Sequence, residues 1–231
     1  MIRSLSFLIP SYNDELTIEI VVTKAKDVGR RLKIPFEIIV INDASPDHLA
    51  DVLNKLKKTI PQLKVITHSQ NKGYGGTIKE LYSAGSKEWL FTLPGDYQVA
   101  ADELTHLLPL VTKADMILGR RTKRSDIPSR KRQSTIYNWL LQNLFHIPVH
   151  DANSVRLMRR SIMQKVKLFS ASAFVDAELV LRTRDAGYRI SEATITHRCR
   201  AGGSGSGGGG SLKTILPTIK DMVVFYLHHI S

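Results

Sequence analysis

Residues 5–43 read LSFLIPSYNDELTIEIVVTKAKDVGRRLKIPFEIIVIND, and this stretch decides the fold class. The apolar run 5–9 ends at Pro10 and is typical of a buried strand. Residues 16–32 carry apolar side chains at helical spacing behind two acidic residues, a pattern that predicts a helix. A second apolar run, 36–41, predicts the next strand. The stretch is therefore a strand–helix–strand unit.

The same alternation continues along the chain and ends in an amphipathic helix. Further strands are predicted at residues 63–68, 89–93, 116–118, 155–157, 188–193 and 195–197, and further helices at residues 47–58, 75–86, 102–110, 175–186 and 212–228, with another helix around Ile136, Trp139, Leu140 and Leu144. Strands that alternate with helices predict an α/β fold built on a doubly wound, mainly parallel, Rossmann-like sheet.

Polar and turn-forming residues follow each of the first five predicted strands. In sheets of this kind, ligands bind beyond the carboxyl ends of the strands. The loops read PSYND (10–14), NDASPD (42–47), NKGYGG (71–76), PGDYQ (94–98) and GRR (119–121). The first lacks the Gly-x-Gly-x-x-Gly of dinucleotide-binding dehydrogenases, and the third lacks the Lys-Ser/Thr ending of a P-loop. The sequence predicts one ligand site of another kind at this edge.

Composition limits the kind of protein and the partner. The chain has 231 residues, 42% of them hydrophobic, which suffices for one domain with a full core. A formal net charge of +12 implies an anionic partner, such as nucleic acid, an acidic membrane leaflet or a phosphorylated substrate. The lone Cys199 indicates a reducing compartment, so we expect a cytoplasmic protein. The N-terminal apolar run is too short for a signal peptide. No apolar run reaches the ~18 residues of a membrane span, so we expect any membrane to be contacted from its surface.

The second half of the chain is less regular. Residues 120–132 hold seven basic residues against one acid, Asp126. Residues 201–211, AGGSGSGGGGS, predict a flexible linker or lid. The apolar side of the final helix is predicted from residues at helical spacing, namely Ile215, Leu216, Ile219, Met222, Val223 and Tyr226.

The loop around Asp96 offers a possible metal site. In LPGDYQ, residues 93–98, the Asp96 carboxylate and the Gln98 amide stand two positions apart on an extended loop. Oxygen donors of this kind suit Mg²⁺ or Mn²⁺, which bridges the phosphates of a nucleoside diphosphate. The alternative is a turn in which Asp96 caps the next helix.

Five ordered motifs carry a resemblance to a known family: FLIPSYNDE, IIVINDASPD, NKGYGG, LPGDYQ and LGRR. Together they resemble the inverting family 2 glycosyltransferases of the GT-A fold. Features after Arg121 resemble the dolichol-phosphate mannosyltransferase and polyprenyl-phosphate glycosyltransferase branch. These are Arg130 with Ser134 and Asn138, DANSVRLMRR from Asp151, and FVDAELVLRTRDAGYRISEATITHRCRAGG from Phe174.

The resemblance implies a role for each matching residue. The nucleotide would lie against Pro10, Tyr12, Asp14, Asp43 and the backbone at Gly73, and the metal on Asp96 and Gln98. Arg121, Arg130 and Arg200 match phosphate-binding positions, for which a planar guanidinium is suited. Asp96, Arg121, Asp151 and Asp176 are the expected catalytic group.

Some of these positions have a structural alternative. Asp43 could cap a helix through Asp43-Ala44-Ser45-Pro46. Asp176 and Glu178 could be a helix N-terminal acid and a packing carboxylate. Pro94 departs from the family pattern, because it stands where the first Asp of Asp-x-Asp-x-Gln is usual. This removes one metal ligand. Lys123, Arg124 and Arg132 form either a solvated face or a contact with anionic headgroups.

The expected function is transfer of a hexose, with inversion, from a GDP- or UDP-sugar to a dolichyl or undecaprenyl phosphate. Residues 1–200 would form the catalytic domain, with a nucleotide-sugar half (1–121) and an acceptor half (122–200), followed by the linker 201–211 and the helix 212–231. The protein would lie on the cytoplasmic face of a membrane, with a possible membrane-protein partner. A glycan or other hydroxyl acceptor is an alternative, as is an inactive nucleotide-binding relative. A nucleic-acid-binding module is disfavoured, because aromatic residues are not interleaved with the basic cluster.

Overall fold

The computed structural model describes residues 2–121, 128–147, 149–198 and 212–229. The strands are β1 Leu5–Ser11, β2 Phe36–Asn42, β3 Leu63–Thr67, β4 Trp89–Thr92, β5 Met116–Arg121, β6 Arg156–Arg159 and β7 Ile190–Ile195. The helices are α1 Ile18–Leu32, α2 Leu49–Thr59, α3 Gly73–Ala84, α4 Leu104–Leu107, α5 Pro128–Phe145, α6 Arg160–Lys165, α7 Val175–Asp185 and α8 Leu212–His229.

All seven strands belong to one sheet in the order β3-β2-β1-β4-β6-β5-β7. Parallel pairing joins β3 to β2, β2 to β1, β1 to β4, and β5 to β7. Only β6 runs antiparallel to its neighbours β4 and β5 within this sheet. The predicted mainly parallel α/β sheet is confirmed. The sheet continues from β4 through β6 into β5, so both halves of the chain share one layer.

The core lies on both faces of the sheet, because alternate residues of each strand point to opposite sides. On β1, Phe7 and Ile9 pack with α1, α2 and α4. Leu8 of the same strand packs with helices α3, α5, α6, α7 and α8 on the other face. Two-sided burial explains why strands β1 and β2 are continuous apolar runs.

The Glu37 carboxylate is a buried polar point within this core. It accepts hydrogen bonds from Ser6 Oγ and Ser86 N–H, each at 2.7 Å, and pairs with Lys64 Nζ at 2.7 Å. Burial by itself would raise the pKa of Glu37, but the bonds from Lys64, Ser6 and Ser86 outweigh it and lower the pKa from 4.5 to about 2. The carboxylate is therefore ionised in the fold and ties β1, β2 and the segment between α3 and β4 together.

Two local predictions were wrong, and one helix was missed. The helix predicted at 102–110 is instead a single α turn, α4, flanked by 3₁₀ turns Ala101–Glu103 and Leu108–Leu110, and Pro109 lies in the second turn. The two strands predicted at 188–193 and 195–197 are one strand, β7, because Thr194 remains paired with Arg120 of β5. Helix α6 was not predicted. It is only six residues long, too short for a clear periodicity.

The final helix forms where it was predicted, but its buried side differs. Phe225 packs against Phe145 and Phe174, with ring centroids 5.7 and 5.5 Å apart, and Met222 is buried beside it. Several apolar side chains of this helix are exposed, namely Leu216, Ile219, Val223, Val224 and Leu227. Apolar residues thus lie on more than one side of this helix, and the neighbouring elements cover only part of them. Within the described ranges, none of the helices has the length and apolarity of a membrane span.

Candidate functional site

Hydrogen bonds join the loops at the carboxyl ends of the strands into one surface. Ser45 Oγ, in the loop after β2, accepts a bond from Asn13 N–H, after β1, at 2.8 Å. The loop after β3 reaches the same place, because Lys72 N–H donates to Asp43 Oδ1 at 2.8 Å. Thr17 Oγ1 donates to the carbonyl of Gly95, in the loop after β4, at 2.7 Å. The edge at which the sequence predicted a ligand site is a fixed frame.

Unusual backbone angles concentrate in these loops. Positive φ occurs at Asn13 (56°), Ala44 (54°), Gly73 (72°) and Tyr97 (60°), and these four residues follow β1, β2, β3 and β4 respectively. Such angles are unfavourable for residues other than glycine, and they cluster at functional sites where the surrounding structure enforces them. Gly95 is required for a different reason, since a Cβ there would lie 2.5 Å from Asp14 Oδ2.

A pocket of about 850 Å³ opens at this edge. Seven of the residues predicted for the site line it, namely Pro10, Gly73, Asp96, Gln98, Arg121, Asp151 and Asp176. Tyr12, Asp14 and Asp43 do not line this pocket and lie at the neighbouring part of the edge, beyond β1 and β2. The side chain of Arg130, and all of Arg200 and the glycine-rich stretch 201–211, lie outside the described residues.

Arg121 and Asp151 form a two-bond ion pair in the pocket wall. Arg121 Nε donates to Asp151 Oδ2 at 2.6 Å, and Nη2 donates to Oδ1 at 2.7 Å. The backbone N–H of Asp151 is held by Glu192 of β7 at 3.3 Å. This geometry fixes the guanidinium plane and places a cation at the pocket surface.

Asp176 lies at the start of α7 and is almost fully buried. Its Oδ1 is 2.8 Å from Nη2 of Arg156, an ion pair whose orientation does not make a hydrogen bond. Its Oδ2 accepts a bond from the Tyr74 hydroxyl at 2.8 Å. Burial raises the pKa of Asp176, and the adjacent Arg156 guanidinium offsets part of the rise. Both carboxylate oxygens are therefore engaged inside the protein.

Glu178, two residues further along α7, is also engaged. Its carboxylate accepts bonds from the backbone N–H groups of Phe169 and Ser170 at 3.1 and 2.8 Å and from Arg182 at 2.7 Å. These bonds hold the loop before α7, part of which lines the pocket. The packing role that the sequence offered as an alternative for Glu178 agrees with these contacts.

Asp96 and Gln98 meet at the pocket surface, where a cation could be held. Gln98 N–H donates to Asp96 Oδ1 at 3.0 Å, which closes the turn. The donor set, one carboxylate and one amide oxygen, fits two ligand positions of Mg²⁺ or Mn²⁺. Among the described residues, no group of three or more His, Cys, Asp or Glu side chains converges as a metal site. The loop thus offers two side chains with oxygen donors for a cation, with Pro94 in place of a further acid.

Asp43 and Asp14 are fixed within the loops after β2 and β1, beside the pocket. Asp14 Oδ2 accepts bonds from Ser11 Oγ and Tyr12 N–H at 3.0 and 3.1 Å. Asp43 is not a helix cap, because α2 begins at Leu49, whose N–H is bonded by Asp47. Asp43 instead accepts bonds from two residues of the next strand and loop, His68 and Lys72.

An apolar wall completes the pocket on the side of α5 and α8. It is lined by Ile136, Tyr137 and Leu140 of α5 and by Ile215, Pro217, Ile219 and Met222 of α8. The same pocket therefore has a polar end, at Asp96 and Arg121, and an apolar end between two helices.

Several residues of the site were missed from the sequence. Arg156 is nearly inaccessible, and the signal for it was a cation inside the short apolar strand segment SVRLM. Tyr74 gave no signal beyond its place in NKGYGG. His197 follows β7 and lines the pocket. The next residue ties this segment to the loop after β4, because the Arg198 N–H donates to the Gln98 carbonyl at 2.8 Å. Contacts between elements distant in sequence create each of these positions.

The sheet and its pocket define an α/β protein whose ligand site lies beyond the carboxyl ends of its parallel strands. The sequence profile described as Glycosyl transferase family 2 matches residues 6–169. This chain belongs to that family.

Two curated relatives share about a quarter of their residues with this chain over the matched segment. The undecaprenyl-phosphate 4-deoxy-4-formamido-L-arabinose transferase of Yersinia enterocolitica is 26% identical over 167 residues, which are 71% of this chain and 51% of that protein. The bactoprenol glucosyl transferase of Shigella phage SfV is 25% identical over 167 residues, 71% of this chain and 54% of that protein. The chain thus spans about half the length of the curated relatives it matches.

Solved structures share the fold. Glucosyl-3-phosphoglycerate synthase from Mycobacterium tuberculosis, crystallised with Mn²⁺, uridine diphosphate and phosphoglyceric acid, superposes with a TM-score of 0.73. The two are 16% identical, and the match covers 95% of this chain and 78% of that one. The expected GT-A fold is confirmed.

Proposed function

We propose that this protein transfers a hexose from a nucleoside-diphosphate sugar to a polyprenyl phosphate, with inversion at the anomeric carbon. The observation that carries the proposal is the pocket with two ends. Asp96, Gln98 and Arg121 provide a polar end suited to phosphates, while α5 and α8 provide an apolar wall suited to a hydrocarbon chain. The relatives named for transfer to undecaprenyl phosphate or bactoprenol support this assignment of the acceptor.

The contacts of Asp176 and Glu178, the two carboxylates that would be candidate bases for a hydroxyl acceptor, also favour a phosphate acceptor. A sugar hydroxyl must lose a proton when it attacks, so a hydroxyl acceptor needs a general base. Both oxygens of Asp176 are engaged by Arg156 and Tyr74. Glu178 is engaged by the loop before α7 and by Arg182. A phosphate oxygen is already anionic and needs no base.

The nucleoside would occupy the part of the edge next to the pocket. Tyr12 and Asp43 would contact the base and ribose, and the backbone at Pro10 and Gly73, which line the pocket, would lie beside the phosphates. Asp14 would act indirectly, since its Oδ2 holds the Ser11–Tyr12 backbone. Positive φ at Gly73 leaves that backbone open for close approach.

The reaction would be a direct displacement. A phosphate oxygen of the acceptor forms a bond to the anomeric carbon while the bond from that carbon to the β-phosphate oxygen breaks, and the electron pair leaves with the nucleoside diphosphate. Arg121, fixed by Asp151, would take up part of the charge that develops on the phosphates. The pocket holds the two substrates in orientation, which supplies much of the rate.

A divalent cation is the proposed cofactor. Asp96 and Gln98 would hold it, with the diphosphate and water as the other ligands. A bound Mg²⁺ or Mn²⁺ would supply positive charge to the departing diphosphate. Arg130 and Arg200 remain proposed phosphate ligands from the sequence.

The acceptor would reach the pocket from a membrane surface, on its cytoplasmic side. Apolar side chains are exposed on α5 and α8, next to the apolar wall of the pocket, among them Ile136, Trp139, Leu216, Val223 and Leu227. The seven basic residues in 120–132 precede or begin α5. Exposed apolar residues on α5 and α8, in a chain whose sequence also carries this basic segment, suit an anionic lipid surface.

A transfer assay tests the proposal. The protein is incubated with Mn²⁺, a short-chain polyprenyl phosphate and GDP-mannose or UDP-glucose carrying a labelled sugar. We expect label in the organic extract, released by mild acid, with a configuration opposite to that of the donor. Label that appears only on added glycans would favour the hydroxyl-acceptor alternative. Nucleotide binding without any transfer would favour an inactive relative, which is the alternative that Pro94 raises.

A further inference from the structure

The His68 side chain is buried between two carboxylates at the nucleotide side of the edge. It follows β3, and its side chain is 3% exposed. Nδ1 is 2.6 Å from Asp43 Oδ1, and Nε2 is 3.1 Å from Glu80 Oε2 on α3. A neutral imidazole has one N–H, whereas the imidazolium form has two and can donate to both carboxylates.

The contacts of Asp43 leave one side of its carboxylate uncommitted. His68 and the Lys72 N–H both bind Oδ1, the latter at 2.8 Å, and Oδ2 accepts no bond from any of the described residues. The Asp43 backbone is fixed too, because its N–H donates to the Ser11 carbonyl at 3.1 Å and its own carbonyl accepts from Asn71 Nδ2 at 3.0 Å. Oδ2 is therefore held in one direction.

Glu80 and Lys72 close the outer side of this cluster. Lys72 Nζ is 2.7 Å from Glu80 Oε2, and this bond lowers the pKa of Glu80. Glu80 is therefore anionic and faces Nε2 of His68. No group of three or more metal-ligating side chains converges anywhere in the described ranges, so the Asp43–His68–Glu80 cluster is not a metal site.

We propose that His68 is a positioning residue for donor recognition, which holds Asp43 so that Oδ2 accepts a hydrogen bond from a ring N–H of the nucleobase. The proposal rests on the proposed function, which places the base at Asp43. An anionic acceptor favours uracil and guanine, whose Watson–Crick edges carry a ring N–H. It disfavours cytosine and adenine, which present a ring nitrogen acceptor at the corresponding position. His68 thereby acts on base selectivity without touching the base.

Two isosteric variants separate this role from simple packing. The amide nitrogen of asparagine can occupy the place of Nδ1, which faces Asp43. The amide nitrogen of glutamine can occupy the place of Nε2, which faces Glu80. Both variants fill the buried site with a neutral amide, so only the bond to Asp43 distinguishes them.

The experiment measures nucleotide binding to the full chain by calorimetry with Mn²⁺. The ligands are the pairs UDP and CDP, and GDP and ADP. The unaltered protein should prefer UDP over CDP, or GDP over ADP, by about tenfold to a hundredfold, the range expected for one hydrogen bond to a charged acceptor. His68→Asn should retain most of this preference. His68→Gln should reduce it to about threefold or less, through weaker binding of the preferred nucleotide.

Glu80→Gln is the control, because it alters the far side of the cluster and should keep the preference for UDP or GDP. Equal selectivity of His68→Asn and His68→Gln would overturn the positioning role. If the unaltered protein prefers neither UDP nor GDP, the role assigned to Oδ2 is overturned although nucleotide binding stands. If it binds no nucleoside diphosphate at all, the proposed function fails together with this inference.

Discussion

Arg121 and Asp151 face each other across the pocket wall as a two-bond pair, with Nε–Oδ2 and Nη2–Oδ1 distances of 2.6 and 2.7 Å. Both were expected in the catalytic group, Arg121 as a phosphate-binding residue. The pair links them, because the Asp151 carboxylate orients the Arg121 guanidinium. We therefore propose that Asp151 acts by aiming Arg121.

Arg121→Lys tests this geometry while it keeps the positive charge. An ammonium group cannot form the two parallel bonds to Asp151, so the cation will no longer be fixed toward the phosphates. We expect kcat/KM for transfer to fall roughly 10- to 100-fold, or about 1.4–3 kcal/mol of transition-state stabilisation. Arg120→Lys is the matched control, because Arg120 is the adjacent arginine of β5 and is exposed. Similar rates for both variants would contradict the role of Arg121.

Under the proposed function, we expect Asp96 and Pro94 together to determine how strongly a cation supports nucleotide binding. Asp96→Asn should lower the affinity for UDP or GDP in Mn²⁺ by about tenfold, to the level seen with a chelator, because a carboxylate ligand is lost. Pro94→Asp should have the opposite effect and increase the gain in affinity that Mn²⁺ provides. Calorimetry with and without Mn²⁺ measures both changes. Asp102→Asn, nearby but outside the pocket lining, should behave as the unaltered protein. An Asp96→Asn protein with undiminished Mn²⁺ dependence would exclude this site.

Asp176 and Arg156 form a buried ion pair whose disruption should affect stability first. Asp176→Asn leaves the Arg156 cation without its counter-charge in the core, and we expect a loss of about 3–5 kcal/mol in the free energy of unfolding. Urea unfolding measures this loss, and Asp185→Asn at the other end of α7 is the control. The pH–rate profile of the remaining activity should keep its shape, because both oxygens of Asp176 are engaged by Arg156 and Tyr74 and we do not expect it to act as a base. An Asp176→Asn variant that keeps normal stability but loses one limb of the pH–rate profile would instead indicate that Asp176 acts as a base.

The first half of the fold, residues 1–121, could be predicted from sequence because its signals are local. Burial on both faces requires continuous apolar runs in β1 and β2. Polar turn residues follow the strands, such as Asp43 after β2 and Asp96 after β4. The second half gave weaker signals. Strand β6 has four residues and runs antiparallel between two strands that are distant in sequence, which no periodicity of so short a segment can indicate.

Pairings within the site were not accessible in the same way. A sequence shows that Asp176 and Arg156 are charged, but not that a helix start and a strand centre bring them to 2.8 Å. The same holds for His68, which β3 and α3 place between Asp43 and Glu80. The side of α8 that is buried also depends on the neighbours it meets, so Phe225 was missed among several apolar residues of equal periodicity.

The exposed apolar side chains of α8 should contribute to membrane binding. Val223→Ser combined with Leu227→Ser removes two of them, 48% and 57% exposed, without touching the buried Met222 and Phe225. We expect about tenfold weaker co-sedimentation with anionic vesicles, since each buried CH₂ contributes ~0.8 kcal/mol. Ile20→Ser is the control, because Ile20 is an exposed apolar residue of α1, on the opposite face of the sheet. Equal loss in both variants would argue against docking through α8.

Glu37 should make the stability of the fold depend on acid pH. Its pKa in the folded protein, about 2, lies below the ordinary value of 4.5, so its contribution is complete above pH 4.5 and is lost as the pH falls toward 2. The shift corresponds to about 3 kcal/mol at most. Glu37→Gln should therefore unfold at lower urea than the unaltered protein at pH 7, and the difference should shrink between pH 4.5 and 2. Glu19→Gln, an exposed glutamate of α1, should show no such gap at any pH. A gap for Glu37→Gln that stays constant down to pH 2.5 would mean that packing, rather than the charge on Glu37, holds β1, β2 and β4 together.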